Sequence, residues 1–462
     1  MLENCHTAAG PRVPSETVLD VLGYVYSRLF DMDPSAHRSA LVAAGGPDQV
    51  LTTADCIAHL TRVLDGLAPR RVLLLPPDYT RFHSGVGELT VACRDHLRAA
   101  GAETDIMPAL GTHAPMSERQ IGLMFPGLDP AEVLPHDWRN DLCPLGVIPG
   151  SFVAEVSGGL VDYDIQIAVN RRVAEGGYDL ILSLGQVVPH EVIGLANQNK
   201  NLFVGVGGSD IINKSHFLGA VCGMERVMGR PDSPVRRVFN RAAELFCADL
   251  PICYALTVRQ QTPDGLVTRG LFVGDDAATF AQAARLSQQV NLDLLDRPLA
   301  KVVVWLDPEE FHSTWLGNKA VYRTRMAMAD GGELVILAPG LREFGEDAEI
   351  DRLIRAYGYR GTPTTLAAVA EHHELRANLS AAAHLIHGSS EGRFTITYAP
   401  GGLSREEIEG VGYQWAELAP LIERYQPQNL RDGYNTLPDG EEVFFISNPA
   451  LGLWAPRSAF ED

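Results

Sequence analysis

The chain of 462 residues, 46% hydrophobic and 21% charged, carries enough apolar mass for two or three domain cores at about 150 residues each. Its 38 Lys+Arg against 58 Asp+Glu give a formal charge of −20, which excludes a broad nucleic-acid or anionic-membrane face, because both need a basic surface. A small anionic ligand held by a local Arg or Lys clamp stays open. No apolar run reaches the ~18 residues of a spanning helix, and the first residues lack a basic stretch followed by an apolar one. The seven Cys are never spaced Cys-x-x-Cys. A cytoplasmic protein with reduced thiols and no Cys-based zinc site is therefore expected.

In chain order, residues 1–45 read as an added helical extension. Residues 46–294 follow as an α/β domain, with strands expected at Arg71–Leu75, Asp105–Met107 and Tyr178–Leu184 and helices at Val86–Ala99 and Ala277–Val290. The stretch 261–275, rich in Gly, Thr and Asp, reads as a hairpin or connector. A boundary is placed near 295, just before Pro298. Residues 295–425 form a second α/β domain with strands at Lys301–Leu306, Glu333–Ala338 and Arg393–Tyr398. Residues 426–462 are a tail that carries the strand Glu442–Ile446 and can return to the first domain. Short β-rich runs alternating with amphipathic helices make this an α/β fold with mainly parallel sheets.

Three expected strands run into polar loops: Pro76 to Arg81, Ala109 to His113, and Gly185 to His190. Open α/β sheets bind ligands at the carboxyl ends of their strands, so one site is expected there. Of the 14 His, His372 and His373 read as solvated, and His59 and His96 as helix-surface or core residues. His113, His190 and His216 sit in Gly-, Pro- or Asn-containing turns beside apolar strands. Each alone is more often structural. Together, two could act as general acid/base catalysts on opposite faces of one carbon, and a third could ligate a metal as a neutral imidazole. Lys200 is either an exposed or capping residue, or an amine placed for covalent attachment or anion binding. The run Gly205-Val206-Gly207-Gly208-Ser209 is either a turn or a backbone cradle for phosphate. No Walker A motif is present, which disfavours a nucleotide triphosphatase. His136 to Arg139 reads as a salt-bridged surface turn, and Glu309-Glu310 as a solvated helix start. The stretch His387 to Arg393 either lines the site, with Arg393 on a carboxylate, or is a loop network. Trp315 either walls the substrate or packs.

Asp78-x-Thr80-Arg81, Gly111-Thr112-His113, Pro189-His190, Lys200 ten residues on, His216 sixteen beyond, and Trp315-x-x-x-Lys319 together resemble the nickel-dependent lactate racemase (LarA) family, from about residue 73 to about 453. The resemblance implies two α/β domains with the active site in the interdomain cleft. It also implies a nickel-pincer nucleotide, a pyridinium-3-thioamide-5-thiocarboxylic acid mononucleotide that cofactor-biosynthesis proteins supply. Lys200 matches its covalent attachment point and His216 the protein ligand to Ni. His113 and His190 match the acid/base pair, and Arg81 and Lys319 the cations that hold anionic groups. Asp78, Thr80, Asn197, Gly207 and Gly208 are the further cofactor contacts expected on this basis, with Trp315 and Arg393 on the substrate. The activity implied is racemisation or epimerisation of a 2-hydroxy acid through reversible hydride transfer.

The sequence departs from the family at Gly194-Leu195-Ala196-Asn197-Gln198, at Ala114 and at Trp315-Leu316. Asn197, Gln198 and Asn199 are expected to hydrogen-bond a longer polyhydroxy substrate. This pattern resembles the sugar-acid epimerase branch and favours acids of the gluconate/mannonate type. Two alternatives stand beside it. One is a paralogue that does not load the pincer cofactor, acting as a nucleotide or sugar-acid binding protein or an NAD-dependent oxidoreductase. The other is a metal-independent epimerase that abstracts the C2 proton. The partner expected is a small anionic hydroxy acid, with no nucleic acid and no membrane; oligomeric state stays open.

Overall fold

The computed structural model describes residues 41–462 apart from 263, 451 and 462. Most of the expected N-terminal extension therefore lies outside the described residues. Its last part, Val42–Gly45, is a strand rather than a helix, because it pairs antiparallel along the edge strand partner Gly265–Gly274.

The first of two six-stranded sheets runs, in spatial order, Val42–Gly45, Gly265–Gly274, Ile252–Thr262, Leu180–Gln186, Arg71–Leu75 and Glu103–Ile106. The last four are mutually parallel. Val72 to Leu75 are fully buried, as a parallel strand covered on both faces requires. The third strand begins at Leu180 rather than Tyr178, because the Asp179 carboxylate accepts the N–H groups of Arg70 and Arg71 at 2.9 and 2.8 Å. The Gly-, Thr- and Asp-rich stretch is the turn and second arm of an antiparallel hairpin, Ile252–Thr262 with Gly265–Gly274.

The second sheet runs Gln414–Trp415, Thr395–Pro400, Met328–Ala338, Leu299–Trp305, Glu442–Ile446 and Gly433–Thr436, with only the last pair antiparallel. The strand Leu453–Pro456 then pairs in parallel with Leu292–Leu295, the link between the two sheets. Residues 433–446 thus complete the second sheet, and the end of the chain ties down the linker. Across the gap between the sheets, the helix Ser209–Val221 packs on the helix Leu379–His387, and Phe217 and Ala220 of the former belong to the apolar cluster under the second sheet. Among the described residues no helix is long and apolar enough to cross a membrane.

One local irregularity positions the site. Residues Asn201–Gly205 form a π-turn directly after Lys200, a distortion that recurs at functional sites. Gly207 closes it: a Cβ there would lie 1.9 Å from the Phe203 carbonyl oxygen. Gly207→Ala is therefore expected to destabilise the chain by about 2–3 kcal/mol through backbone displacement, read as a lower urea midpoint at unchanged slope. A variant as stable as the parent would remove this account of Gly207.

Candidate active site

Loops from the parallel part of the first sheet and helices from the second half face one another across a cleft. Asp78, Thr80 and Arg81 follow the strand Arg71–Leu75, and Gly111 to His113 follow Glu103–Ile106. His190 lies beyond Leu180–Gln186 in the small ladder Pro189–His190 with Gly194–Leu195. Lys200 and His216 come next, and Trp315, Lys319, Tyr322, His384 and His387 line the opposite wall. Larger grooves exist beside Gln198 and Asn199 and beside Asp293 and Trp454, but neither brings two imidazoles together.

His113 and Asp78 form a dyad. The imidazole Nδ1 is 2.6 Å from Asp78 Oδ2, and Thr80 Oγ1 donates to Asp78 Oδ1 at 2.6 Å. The carboxylate takes the Nδ1 proton, so Nε2 keeps its lone pair. Burial alone would depress the imidazole pKa, but the Asp78 charge and hydrogen bond outweigh it and the pKa is raised. Asp78 and Thr80, expected at the cofactor, both line the cleft and also brace this base.

His190 is the opposite kind of histidine. It is buried, and its Nδ1 accepts the Val192 N–H at 3.2 Å, which places its proton on Nε2. Burial drives its pKa well below the usual value; Glu191, at 3.6 Å, opposes this, and Lys200 and Arg81 reinforce it. One ring offers a lone pair and the other a neutral N–H.

Lys200 has its pKa lowered to about 8 by burial and by the neighbouring Arg81 charge. Burial likewise brings Lys319 to about 8. An amine in that range is partly neutral near pH 7 and nucleophilic. His216 sits within its helix with Nδ1 2.6 Å from the Ile212 carbonyl oxygen, and burial lowers its pKa to about 4. A neutral ring whose N–H is tied to a backbone carbonyl, leaving Nε2 free, is the arrangement of a metal-binding histidine. No group of three or more His, Cys, Asp or Glu among the described residues is arranged to hold a metal ion. A metal at His216 would therefore need its other ligands from a bound organic group, and the nickel-pincer donor set of sulfur, carbon and sulfur fits that demand.

Six expected contacts lie outside the cleft. Asn197 and Gln198 adopt left-handed backbone angles, φ 72° and 57°. Both are held from behind by the buried Arg236, which donates to the Leu195 and Asn197 carbonyls and to Gln198 Oε1. Asn199 bonds Asn240 and Tyr254. None of the three amides lines the cleft, so they are not placed to read a substrate; they pack the underside of the Lys200 loop. Gly207 serves close backbone approach, the Gly208 N–H is taken by the Ala168 carbonyl at 3.2 Å, and neither residue lines the cleft. Arg393 bonds Asp330 and the carbonyls of Arg325 and Met328, tying a turn outside the cleft. His136 is not on a surface turn: it is buried, with Nε2 3.2 Å from the Gly207 carbonyl and Nδ1 3.2 Å from Asn170. Glu309-Glu310 lies in a turn rather than a helix start.

Glu191, Tyr322 and His384 line the cleft without having been singled out, and His387 enters as a helix residue rather than a loop residue. The Arg323 and Arg81 charges hold the Glu191 carboxylate below its usual range against the effect of burial. The available signal was the pair His384 and His387, three apart on an amphipathic helix.

No protein-family model matches the chain, and no curated protein matches it. Solved structures do. A protein from Thermotoga maritima aligns at 23% identity and TM-score 0.76, over 89% of this chain and 99% of that one. The lactate racemase apoprotein from Thermoanaerobacterium thermosaccharolyticum aligns at 16% identity and TM-score 0.63, over 85% and 88%. The two-sheet α/β fold that brings these loops and helices together is the lactate racemase fold.

Proposed function

We propose that the chain is a nickel-pincer nucleotide-dependent racemase or epimerase of a 2-hydroxy acid, acting at C2 of a sugar acid of the gluconate/mannonate type. The supporting observation is the convergence, in one cleft, of an Asp78-backed His113, His190, the pKa-lowered Lys200 amine and the free Nε2 of His216. Lys200 would carry the cofactor and His216 would bind its nickel; when bound, the group supplies an acceptor that takes and returns the C2 hydride. Arg81 and Lys319 hold the substrate carboxylate. His113 removes the hydroxyl proton at Nε2, and Asp78 stabilises the imidazolium that forms. His190 donates its Nε2–H to the same oxygen as charge develops there. For the opposite epimer His190 acts as base after a tautomer exchange that gives up its Val192 hydrogen bond, a cost of about 1 kcal/mol.

Arg236 accounts for Asn197 and Gln198 through packing, so the composition of that loop no longer favours a chain unable to carry the cofactor. The test is co-production with the cofactor-biosynthesis proteins, followed by peptide mass spectrometry and nickel analysis. A nucleotide-sized adduct on the Lys200 peptide and about one nickel per chain are expected. Gluconate and mannonate should then interconvert in deuterated water with the C2 hydrogen retained. Deuterium wash-in would identify proton abstraction instead, and an unmodified, nickel-free chain would overturn the proposal.

A further inference from the structure

His384 and His387 are imidazoles of the cleft that this reading leaves without a task. They lie three residues apart at the end of the helix Leu379–His387, so they share one face, and both line the cleft. Ser380 Oγ of that helix donates to Asn213 Oδ1 at 2.7 Å, clamping it to the helix that carries His216. Both rings are braced. Trp315 lies against His384 with centroids 4.5 Å apart, and Tyr322 meets His387 edge-on at 6.3 Å.

His384 is already held by the fold: its Nε2 lies 3.0 Å from the Tyr359 hydroxyl and 3.4 Å from Asn318 Nδ2. His387 is 3% exposed, and its Nε2 is buried with no hydrogen-bond partner among the described residues. A buried polar atom in that state calls for a partner that arrives with a ligand. Burial lowers the pKa of both rings to about 3, so they add no charge to the clamp of Arg81 and Lys319. Neutral donors and acceptors complement hydroxyls rather than carboxylates or phosphates.

We propose that His387, on the cleft wall it shares with His384, hydrogen-bonds the hydroxyl-bearing chain beyond C2 of the substrate, which makes the second half of the protein the specificity side of the cleft. This rests on the reading of the cleft as a hydroxy-acid site. A polyhydroxy acid offers His387 Nε2 a partner, whereas lactate has no hydroxyl beyond C2 and leaves it unpaired.

The experiment compares the parent chain, His387→Phe and His387→Gln, each co-produced with the cofactor-biosynthesis proteins. Thermal melts check folding, the Lys200 peptide mass and nickel content check loading, and calorimetry gives affinities for gluconate and lactate. The parent is expected to bind gluconate roughly tenfold or more tighter than lactate. In His387→Phe gluconate affinity falls by roughly tenfold while lactate affinity changes much less, with loading retained. His387→Gln, which keeps a donor and an acceptor, recovers part of the preference. Equal losses for both acids, an unchanged preference, or loss of loading in His387→Phe would each overturn this role of His387. If the parent's own Lys200 stays unmodified, the cofactor reading fails. The two affinities are then compared on the same unloaded protein, where equal binding of both acids overturns this inference as well.

Discussion

A Lys200→Ala chain, co-produced with the cofactor-biosynthesis proteins, is expected to carry no nucleotide adduct and to lose turnover by at least roughly 10⁴-fold, since the reaction then has no hydride acceptor. Lys200 is half-buried, and desolvation with the Arg81 charge lowers its pKa to about 8. At pH 7 roughly a tenth of the molecules hold the neutral amine, roughly 300-fold more than for an ordinary lysine. Attachment should therefore quicken about tenfold per pH unit below 8 and level off above it. Lys200→Arg keeps a positive charge without a nucleophilic amine and should fail in the same way, which separates bonding from charge. The checks are intact mass and nickel content. A loaded Lys200→Ala chain would sink the assignment of Lys200.

The second large effect is expected at the residue that braces His113. Asp78→Asn should lower kcat by about 10²–10⁴ while leaving Lys200 loaded. Asp78 accepts the His113 Nδ1 proton and in turn receives Thr80. An amide there can donate to Nδ1 and force the proton onto Nε2, where the lone pair is needed. The pH profile gives the sign. Because Asp78 raises the His113 pKa, the parent loses its base form as pH falls through that raised value. Removing the charge lets the pKa fall, so the acidic limb of kcat should move to lower pH even as the plateau drops. A plateau loss without movement of the acidic limb would mean that Asp78 acts on something other than His113.

The elements were legible where local pattern and burial agree. Arg71–Leu75, Glu442–Ile446 and the helix Val86–Ala99 coincide with their sequence patterns to the residue. An unbroken apolar run and an amphipathic stripe are properties of neighbouring residues alone. Where an end depended on a distant partner, it moved. Asp179 is drawn out of its strand by the backbone of Arg70 and Arg71, and Val42–Gly45 is a strand only because Gly265–Gly274 offers it an edge. The site was legible to the same depth. His113 and His190 stand in loops marked by glycine or proline, and Trp315 and Lys319 sit at helical spacing; His216, expected in a turn, lies inside the helix Ser209–Val221.

By itself, then, the sequence determined the α/β alternation, the polar loops after the first-sheet strands and the residue types that could do the chemistry. Only the tertiary structure decided where the side chains point and what they bond. Residues 197–199 face inward because the buried Arg236 donates to the Asn197 carbonyl and Gln198 Oε1, and Asn240 and Tyr254 hold Asn199. Arg393 turns away because two backbone carbonyls and Asp330 claim it. His384 and His387 reach the cleft because their helix docks on the one that carries His216. Hydrogen-bond partners and burial are set by contacts between segments far apart in the chain, and no local pattern encodes them.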